Sequence, residues 1–128
     1  MNRLTFIAKL AGLCGIVAII ILSLLPGDYR PHTGLPGRVE HFIAYGLTAT
    51  ALALGFRPLA ARLAFAGVLV LLAGAMEVLQ QYVPDRHPAI ADALASSLGG
   101  LLGLALGAFL YEWLTPIEHR RQALKPRL

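Results

Sequence analysis

A glutamate, Glu77, lies about two turns before the end of an apolar stretch, residues 63–83, that is long enough to cross a lipid bilayer. An acidic or basic side chain at the centre of a membrane helix costs roughly 2.5–3.5 kcal/mol on insertion scales. Gln80 and Gln81 follow within about one turn, toward the same end of the stretch. We therefore expect the cost of placing the Glu77 carboxylate there to be offset by water, by a partner group or by a function.

Other side chains with acid–base or hydrogen-bonding chemistry occur near the starts of neighbouring apolar stretches. His41 and Tyr45 are four residues apart, as are Asp92 and Ser96, and residues at this spacing share a helix face. Arg86 lies in the connection between the third and fourth stretches. In an up-and-down bundle all these positions fall at one depth. The sequence therefore predicts a polar pocket formed by Glu77, Arg86, Asp92, His41, Gln80, Tyr45 and Ser96.

The residue types in this pocket are compatible with both catalysis and binding. A histidine and two carboxylates suit general acid–base catalysis. Glu77, Asp92 and His41 could also hold a divalent ion, with a preference for hard metals if carboxylates dominate. A guanidinium such as that of Arg86 suits phosphate or carboxylate groups. Each residue also has a structural interpretation, such as Asp92 complementing a helix dipole, and we predict no cofactor, no metal site and no particular catalytic residue.

The composition indicates that this chain is a membrane protein, so membrane helices must position these residues. Of the 128 residues only 14% are charged and 57% are hydrophobic, whereas soluble domains carry about 25% charged residues. Four apolar stretches approach the length of a membrane-spanning helix: residues 4–25, 39–56, 63–83 and 90–114. We predict a single all-α domain over 1–128, a bundle of four transmembrane helices, with a basic tail at 115–128. No small-x-small cleavage site follows the first stretch, so we expect an uncleaved anchor.

The basic residues predict an orientation, because Lys and Arg concentrate in the cytoplasmic connections of membrane proteins. Eight of the eleven lie on the side that carries both termini, and the other three are Arg30, Arg38 and Arg86. We therefore predict that both termini are cytoplasmic (N-in/C-in) and that the polar pocket faces the external side. This topology accounts for the net charge of +4, so we predict no nucleic-acid partner. The single cysteine, Cys14, excludes an internal disulfide and a multi-cysteine zinc site.

The fourth stretch carries small residues at every fourth position. Such a row forms a groove that lets a neighbouring backbone approach closely. The sequence does not say whether this neighbour belongs to the same chain or to a second copy, so a homo-oligomer through this face is possible. The predicted helix-packing residues are Ala91, Ala95, Gly99, Gly103 and Gly107.

The polar residues also form a motif that is similar to one in a known family. Residues 77–86 read Glu-Val-Leu-Gln-Gln-Tyr-Val-Pro-Asp-Arg, and Asp92 and the run Ser96-Ser-Leu-Gly-Gly follow. This run resembles the signature of VanZ-like membrane proteins, in outline Glu-x-x-Gln, a turn with Pro and Arg, then Asp, Asn and Gly. Upstream, residues 38–45 resemble the family's Asp-Lys-x-x-His-Phe and a following Tyr.

The resemblance covers about residues 38–107, and the matching residues are His41, Tyr45, Glu77, Gln80, Arg86, Asp92 and Gly99. Arg38 stands where the family has Lys, Gly37 where it has Asp, and Ser96 where it has Asn. A serine hydroxyl reaches less far than an amide and lacks its NH₂ donor, so a role that needs the amide does not carry over.

The resemblance implies a small integral membrane protein of the bacterial envelope. The family is named for an accessory protein of resistance to the glycopeptide teicoplanin, and it supplies no defined reaction. We expect a multi-pass protein of the bacterial cytoplasmic (inner) membrane, with membrane lipids as partners.

Three hypotheses of function follow. The first is a binding module whose outward-facing pocket holds a lipid headgroup, a cell-wall precursor or an amphiphilic compound of the glycopeptide type. The alternative is a membrane-embedded enzyme that acts on a lipid-linked or headgroup-bearing substrate by acid–base or metal-assisted chemistry. A second alternative is a structural scaffold with buried polar pairs. A transporter ranks last, because the inner halves of the stretches are almost free of polar residues.

Overall fold

The computed structural model describes the backbone of residues 2–123 and the side chains of residues 2–115. All regular structure in this part is helical, which confirms the predicted all-α class. A short 3-10 turn, Gly27–Tyr29, lies in the first connection. The four α-helices are α1 (Arg3–Leu24), α2 (Gly37–Gly55), α3 (Leu59–Gln80) and α4 (Ile90–Ala123).

Proline residues set several helix boundaries. Helix α3 begins directly after Pro58, four residues before the predicted start. A proline favours the beginning of a helix even where the residues that follow are not all apolar. It ends at Gln80 rather than at 83, since Pro84 disfavours helical backbone at the residue before it. Helix α4 continues to Ala123, past the predicted end at 114. The basic tail, 115–128, lies outside the described side chains from residue 116 onward.

Three of the four helices are long and apolar enough to cross a membrane, as expected of a multi-pass membrane protein. They are α1, α3 and the part of α4 from Ile90 to Thr115. Large apolar side chains cover their outer surfaces; Leu71 of α3 is 75% exposed and Phe109 of α4 is 65% exposed. Such surfaces suit a hydrocarbon solvent, where an apolar side chain has no reason to be buried.

Helix α2 is not among the helices apolar enough to cross a membrane, and it has the most extensive contacts with the other helices. It packs mainly on α4 and on α1, while α3 packs mainly on α4. Its two threonines lie within the bundle: Thr48 is buried, and the Thr50 hydroxyl donates to the carbonyls of Gly46 (2.8 Å) and Gly103 (3.1 Å). A helix that packs on its neighbours over much of its surface needs less apolar surface than a helix that mainly faces lipid.

The row of small residues on α4 packs on α2 of the same chain. A Cβ added to Gly103 would overlap the carbonyl oxygen of Gly46, and one on Gly107 would lie 2.5 Å from the Thr50 carbonyl oxygen. The two backbones therefore touch, as the spacing of small residues predicts. Because α2 occupies this face around Gly99, Gly103 and Gly107, a second copy of the chain could use it only if α2 moved away.

The contacts along α2 also fix the directions of its neighbours. Gly12 and Gly15 of α1 lie against Leu52 and Thr48, respectively, so α1 and α2 are antiparallel. On α4, Gly99, Gly103 and Gly107 follow Phe42, Gly46 and Thr50 in the same order, so α2 and α4 are parallel. The core between the helices is formed by Ile19, Tyr45, Ala49, Leu52, Ala53, Leu69, Ala73 and Leu104.

These directions give the bundle two ends with different polar residues. The "His41 end" contains the last turns of α1 and α3 and the first turns of α2 and α4, including Ser23, His41, Glu77 and Asp92. The "Arg62 end" contains the opposite termini, including Lys9, Phe56, Arg62 and Tyr111.

Candidate functional site

Three titratable side chains from three helices meet at the His41 end. His41 lies in the second turn of α2, Glu77 in the last turn of α3 and Asp92 in the first turn of α4. One nitrogen of His41 and one carboxylate oxygen of each acid lie within 4.8 Å of one another. Glu77 is buried (8% exposed), and the other two are partly buried.

Glu77 has a definite partner in the connection to α4. Its Oε2 accepts a hydrogen bond of 2.9 Å from the backbone N–H of Ala89, the residue before α4 begins. The Ala89 carbonyl in turn accepts a bond of 2.8 Å from the N–H of Asp92. Backbone N–H groups at a helix start have no partner within the helix. The Glu77 carboxylate therefore fixes the start of α4 and with it the position of Asp92.

The His41 ring is oriented by a buried serine. Its Nδ1 lies 3.2 Å from Oγ of Ser96, which is 1% exposed and stands one turn beyond Asp92 on α4. When Nδ1 carries the proton and donates to this oxygen, the lone pair of Nε2 is free. Ser96 thus takes part in the site as a neighbour of the histidine.

Gln80 and Arg86 meet at a backbone carbonyl of α1. Nε2 of Gln80 donates to the Ser23 carbonyl oxygen at 3.1 Å, and Nη2 of Arg86 donates to the same oxygen at 3.0 Å. Carbonyls in the last turn of a helix lack partners within it. Both side chains therefore tie α3 and its following loop to the end of α1.

The electrostatic surroundings of Arg86 are mixed. Burial and the nearby positive charge of Arg30 lower the pKa of Arg86 from its ordinary value, while Glu77 and Asp92 oppose this shift. A guanidinium stays protonated in proteins. Arg86 therefore keeps a positive charge that water only partly screens, close to the cluster of acids.

Two ion pairs at this end involve residues that sequence reasoning did not assign to the site. Arg30 pairs with Glu40, which also accepts a hydrogen bond from the Thr33 hydroxyl. Nε of Arg38 lies 3.7 Å from Oδ1 of Asp92. A signal for the first pair was present, because Glu40 stands directly before His41 and the loop before α2 carries a basic residue.

Two cavities adjoin the cluster and have different linings. One, of about 430 Å³, is polar and is lined by loop residues together with His41, Gln80, Arg86 and Asp92. The other, of about 420 Å³, is mostly apolar and runs between α1 and α2. Both volumes lie in the range of small-molecule sites, about 300–1,000 Å³. The two cavities share Arg30, His41 and Arg86.

The structure thus divides the seven predicted site residues into three groups. His41, Glu77 and Asp92 form the cluster, with Ser96 against the histidine. Gln80 and Arg86 contact the end of α1. Tyr45 is buried (2% exposed) in the wall of the apolar cavity, one turn from His41. Their role as a functional site stays a prediction.

The chemistry open to this arrangement is that of a histidine between two acids. It can bind a cation, exchange a proton, or orient a polar group that enters the polar cavity. In comparisons with known proteins, no protein-family model, no curated protein and no solved structure matches this chain.

Proposed function

We propose that this chain is a multi-pass membrane protein that binds an amphiphile at the His41 end. The polar head would occupy the cavity beside His41 and Arg86, and the hydrocarbon chain would lie in the groove between α1 and α2. The proposal rests on one observation: a polar and an apolar cavity share the lining residues Arg30, His41 and Arg86 and so lie side by side. A ligand that fills both must be polar at one end and apolar at the other.

The polar lining supports an anionic head, such as the phosphate of a lipid or of a lipid-linked cell-wall precursor, or the carboxylate of a glycopeptide-type compound. The guanidinium of Arg86 lines both cavities and has donors beyond the one bound to Ser23. Planar guanidinium groups bind phosphate and carboxylate oxygens in pairs. Head binding would thus use Arg86 without breaking its contact to α1.

The apolar groove supports a chain that enters from the bilayer. Its wall includes Ile43 and Leu47 of α2, which are 42% and 69% exposed on the outside of the bundle. An opening of this kind lets a lipid chain enter sideways without crossing water. Exposing a CH₂ group to water costs about 0.8 kcal/mol, and lateral entry avoids this cost.

The same proposal includes four membrane spans with both termini in the cytoplasm, so that the His41 end is external. It also includes membership of a VanZ-like family, which rests on the motif residues alone. Labelling tests the orientation: in a Cys14→Ser background, Asp28→Cys at the His41 end should react with a membrane-impermeant maleimide on intact cells. Arg57→Cys at the Arg62 end should react only after lysis, and the reverse pattern would contradict the proposal.

Retention of lipid through purification tests the binding function. Protein purified from bacterial membranes should retain a phosphate-bearing amphiphile, quantified by mass spectrometry of the extracted lipid. Arg86→Ala should remove the head contact, and Ala44→Phe should fill the groove; each should lower the retained amount several-fold. The matched controls are Arg57→Ala at the Arg62 end and Ala75→Phe on the exposed surface of α3. Equal retention in all four variants would refute the proposal.

A second function is favoured by the cluster itself, namely an enzyme that acts on the head of such an amphiphile. The observation behind it is that His41, Glu77 and Asp92 converge to within 4.8 Å beside the polar cavity. Acid–base catalysis requires groups within hydrogen-bond reach of the reacting atom. Turnover of headgroup-bearing lipids that His41→Ala abolishes, while lipid retention persists, would separate catalysis from binding.

A further inference from the structure

We propose that His41, Glu77 and Asp92 bind one divalent transition-metal ion, Zn²⁺ or Mn²⁺. The three side chains come from three different helices, yet each offers a ligand atom within 4.8 Å of the others. The inference stands apart from amphiphile binding, because the metal can be measured without any lipid ligand.

The spacing is close to what a metal centre needs. Zinc binds histidine nitrogen at about 2.0–2.1 Å and carboxylate oxygen at about 2.0–2.2 Å, which places ligand atoms roughly 3–4 Å apart. An upper separation of 4.8 Å therefore requires only small side-chain rotations to close around an ion. The three helix ends that carry these residues are already fixed by packing and by the bond from Ala89 to Glu77.

A charge argument supports a cation at this point independently of the spacing. Glu77 is 8% exposed and lies close to a second acid, Asp92. Among residues 2–115, the side-chain ion pairs join Arg30 to Glu40 and Arg38 to Asp92, and Glu77 belongs to neither. The Arg38 side chain is 69% exposed and stands 3.7 Å away, so its effect is weakened by water. Two neighbouring carboxylates repel each other, and a cation between them would relieve this repulsion more directly than Arg86, which is bound to the Ser23 carbonyl.

The donor set selects the kind of metal. Magnesium and calcium prefer sites built from oxygen alone, whereas an imidazole suits zinc, iron or copper and carboxylates suit manganese. One imidazole with two carboxylates therefore favours Zn²⁺ or Mn²⁺. Metal-binding histidines usually donate their other ring N–H to a nearby oxygen, and Nδ1 of His41 has such a contact with Ser96, which leaves Nε2 for the ion.

The site would leave open positions on the ion. Three protein ligands with a free position are the pattern of catalytic rather than structural zinc. His41 and Asp92 line the polar cavity, so the free positions would face it. Water or an anionic oxygen in that cavity would complete the coordination.

Metal titration of the chelator-stripped, full-length protein tests the inference. The protein should carry a tag without histidine and should be titrated in detergent with Zn²⁺, with Mn²⁺, and with Co²⁺ as a visible-absorbing probe. We expect saturation at one ion per chain. His41→Ala, Glu77→Gln and Asp92→Asn should each weaken binding at least tenfold. His87→Ala and Asp85→Asn are matched controls in the wall of the same cavity and should bind like the wild type.

The outcome that would overturn the inference is equal binding by the cluster variants and their matched controls. Absence of saturable binding by folded wild type at roughly 100 μM metal would overturn it as well. X-ray absorption of the zinc-loaded wild type gives a result that depends on no variant. A shell of nitrogen and oxygen at about 2.0–2.1 Å with a single imidazole would support the site, and two or more imidazoles or none would refute it.

Discussion

The two ends of the bundle both gather polar side chains, but they use them differently. At the Arg62 end, the Arg62 guanidinium donates to the carbonyl of Ala53 at 2.9 Å and to that of Phe56 at 3.2 Å. Arg57 donates to the Tyr111 hydroxyl at 2.6 Å. The Arg62 bonds satisfy two carbonyls at the end of α2, and the Arg57 bond links the connection after α2 to α4. These contacts therefore have a structural role.

The His41 end contains a corresponding arginine and, in addition, a cluster. Arg86 donates to the Ser23 carbonyl near the end of α1, as Arg62 does at the end of α2. His41, Glu77 and Asp92 have no counterpart among the described residues of the opposite end. The comparison separates the residues of the polar pocket by the structural contacts that they make. Arg86 completes a helix end, as Glu77 does at the start of α4. What sets this end apart is the convergence of a histidine and two acids from three helices.

The comparison depends on α2 and α4, which hold residues of both ends in register. The largest effect should follow Gly103→Ala, because the new Cβ would overlap the Gly46 carbonyl oxygen and push the helices apart. Overpacking of this kind typically costs about 1–3 kcal/mol. Gly100→Ala is the matched control, since its Cβ would meet only the Leu69 side chain at 3.5 Å. Thermal unfolding in detergent compares them, and equal melting temperatures would contradict the close packing.

The second effect tests whether the His41 end binds a metal ion as proposed. Ser96→Ala removes the oxygen that lies 3.2 Å from Nδ1 of His41 and leaves the three proposed ligands in place. Loss of a hydrogen bond that orients a metal-binding histidine typically weakens metal binding about 10–100-fold. The Co²⁺ titration measures this loss, and Ser97→Ala is the control one residue away. Unchanged affinity in Ser96→Ala would show that the serine does not orient a ligand.

The third effect tests whether the Arg62 end is purely structural. Arg62→Ala removes bonds to the carbonyls of Ala53 and Phe56 and should lower the free energy of unfolding by about 1–2 kcal/mol. Metal affinity and lipid retention should stay at wild-type values in the fraction that remains folded. Arg86→Ala should lower stability by a similar amount and also lower lipid retention. Loss of retention in Arg62→Ala would remove the distinction between the two ends.

Much of the architecture could be predicted from the sequence, for identifiable reasons. Apolar stretches bounded by proline gave an all-α chain, because apolar length and helix breakers act locally. Helix α2 differs: residues 39–56 were predicted to span, whereas the structure has three helices that are apolar enough to do so, without α2. The sequence also does not identify the neighbour of Gly103, since small residues predict close packing without indicating which helix packs there.

The candidate site likewise has a part that the sequence predicts and a part that it does not. His41, Glu77 and Asp92 come together because successive helices alternate in direction, which places their helix ends at one depth. The partner of Gln80 and Arg86 could not be predicted, because it is the backbone carbonyl of Ser23 and no side chain marks it. Contacts to backbone groups depend on the path of the loops, which the sequence pattern does not determine.

The smallest effect concerns the exposed contact at the Arg62 end. Tyr111→Phe removes the hydroxyl that accepts the 2.6 Å hydrogen bond from Arg57 and keeps the ring, over which the Arg57 and Arg62 guanidinium groups lie at 5.5 and 5.8 Å from its centroid. Because water can replace an exposed hydroxyl, stability should change by less than about 0.5 kcal/mol. Tyr111→Leu removes the ring as well and should cost more, by about 0.5–1 kcal/mol for the lost cation–π contacts. Chemical denaturation of both variants measures the difference. An equal loss in Tyr111→Phe and Tyr111→Leu would mean that the hydroxyl, rather than the ring, holds the arginines of this end.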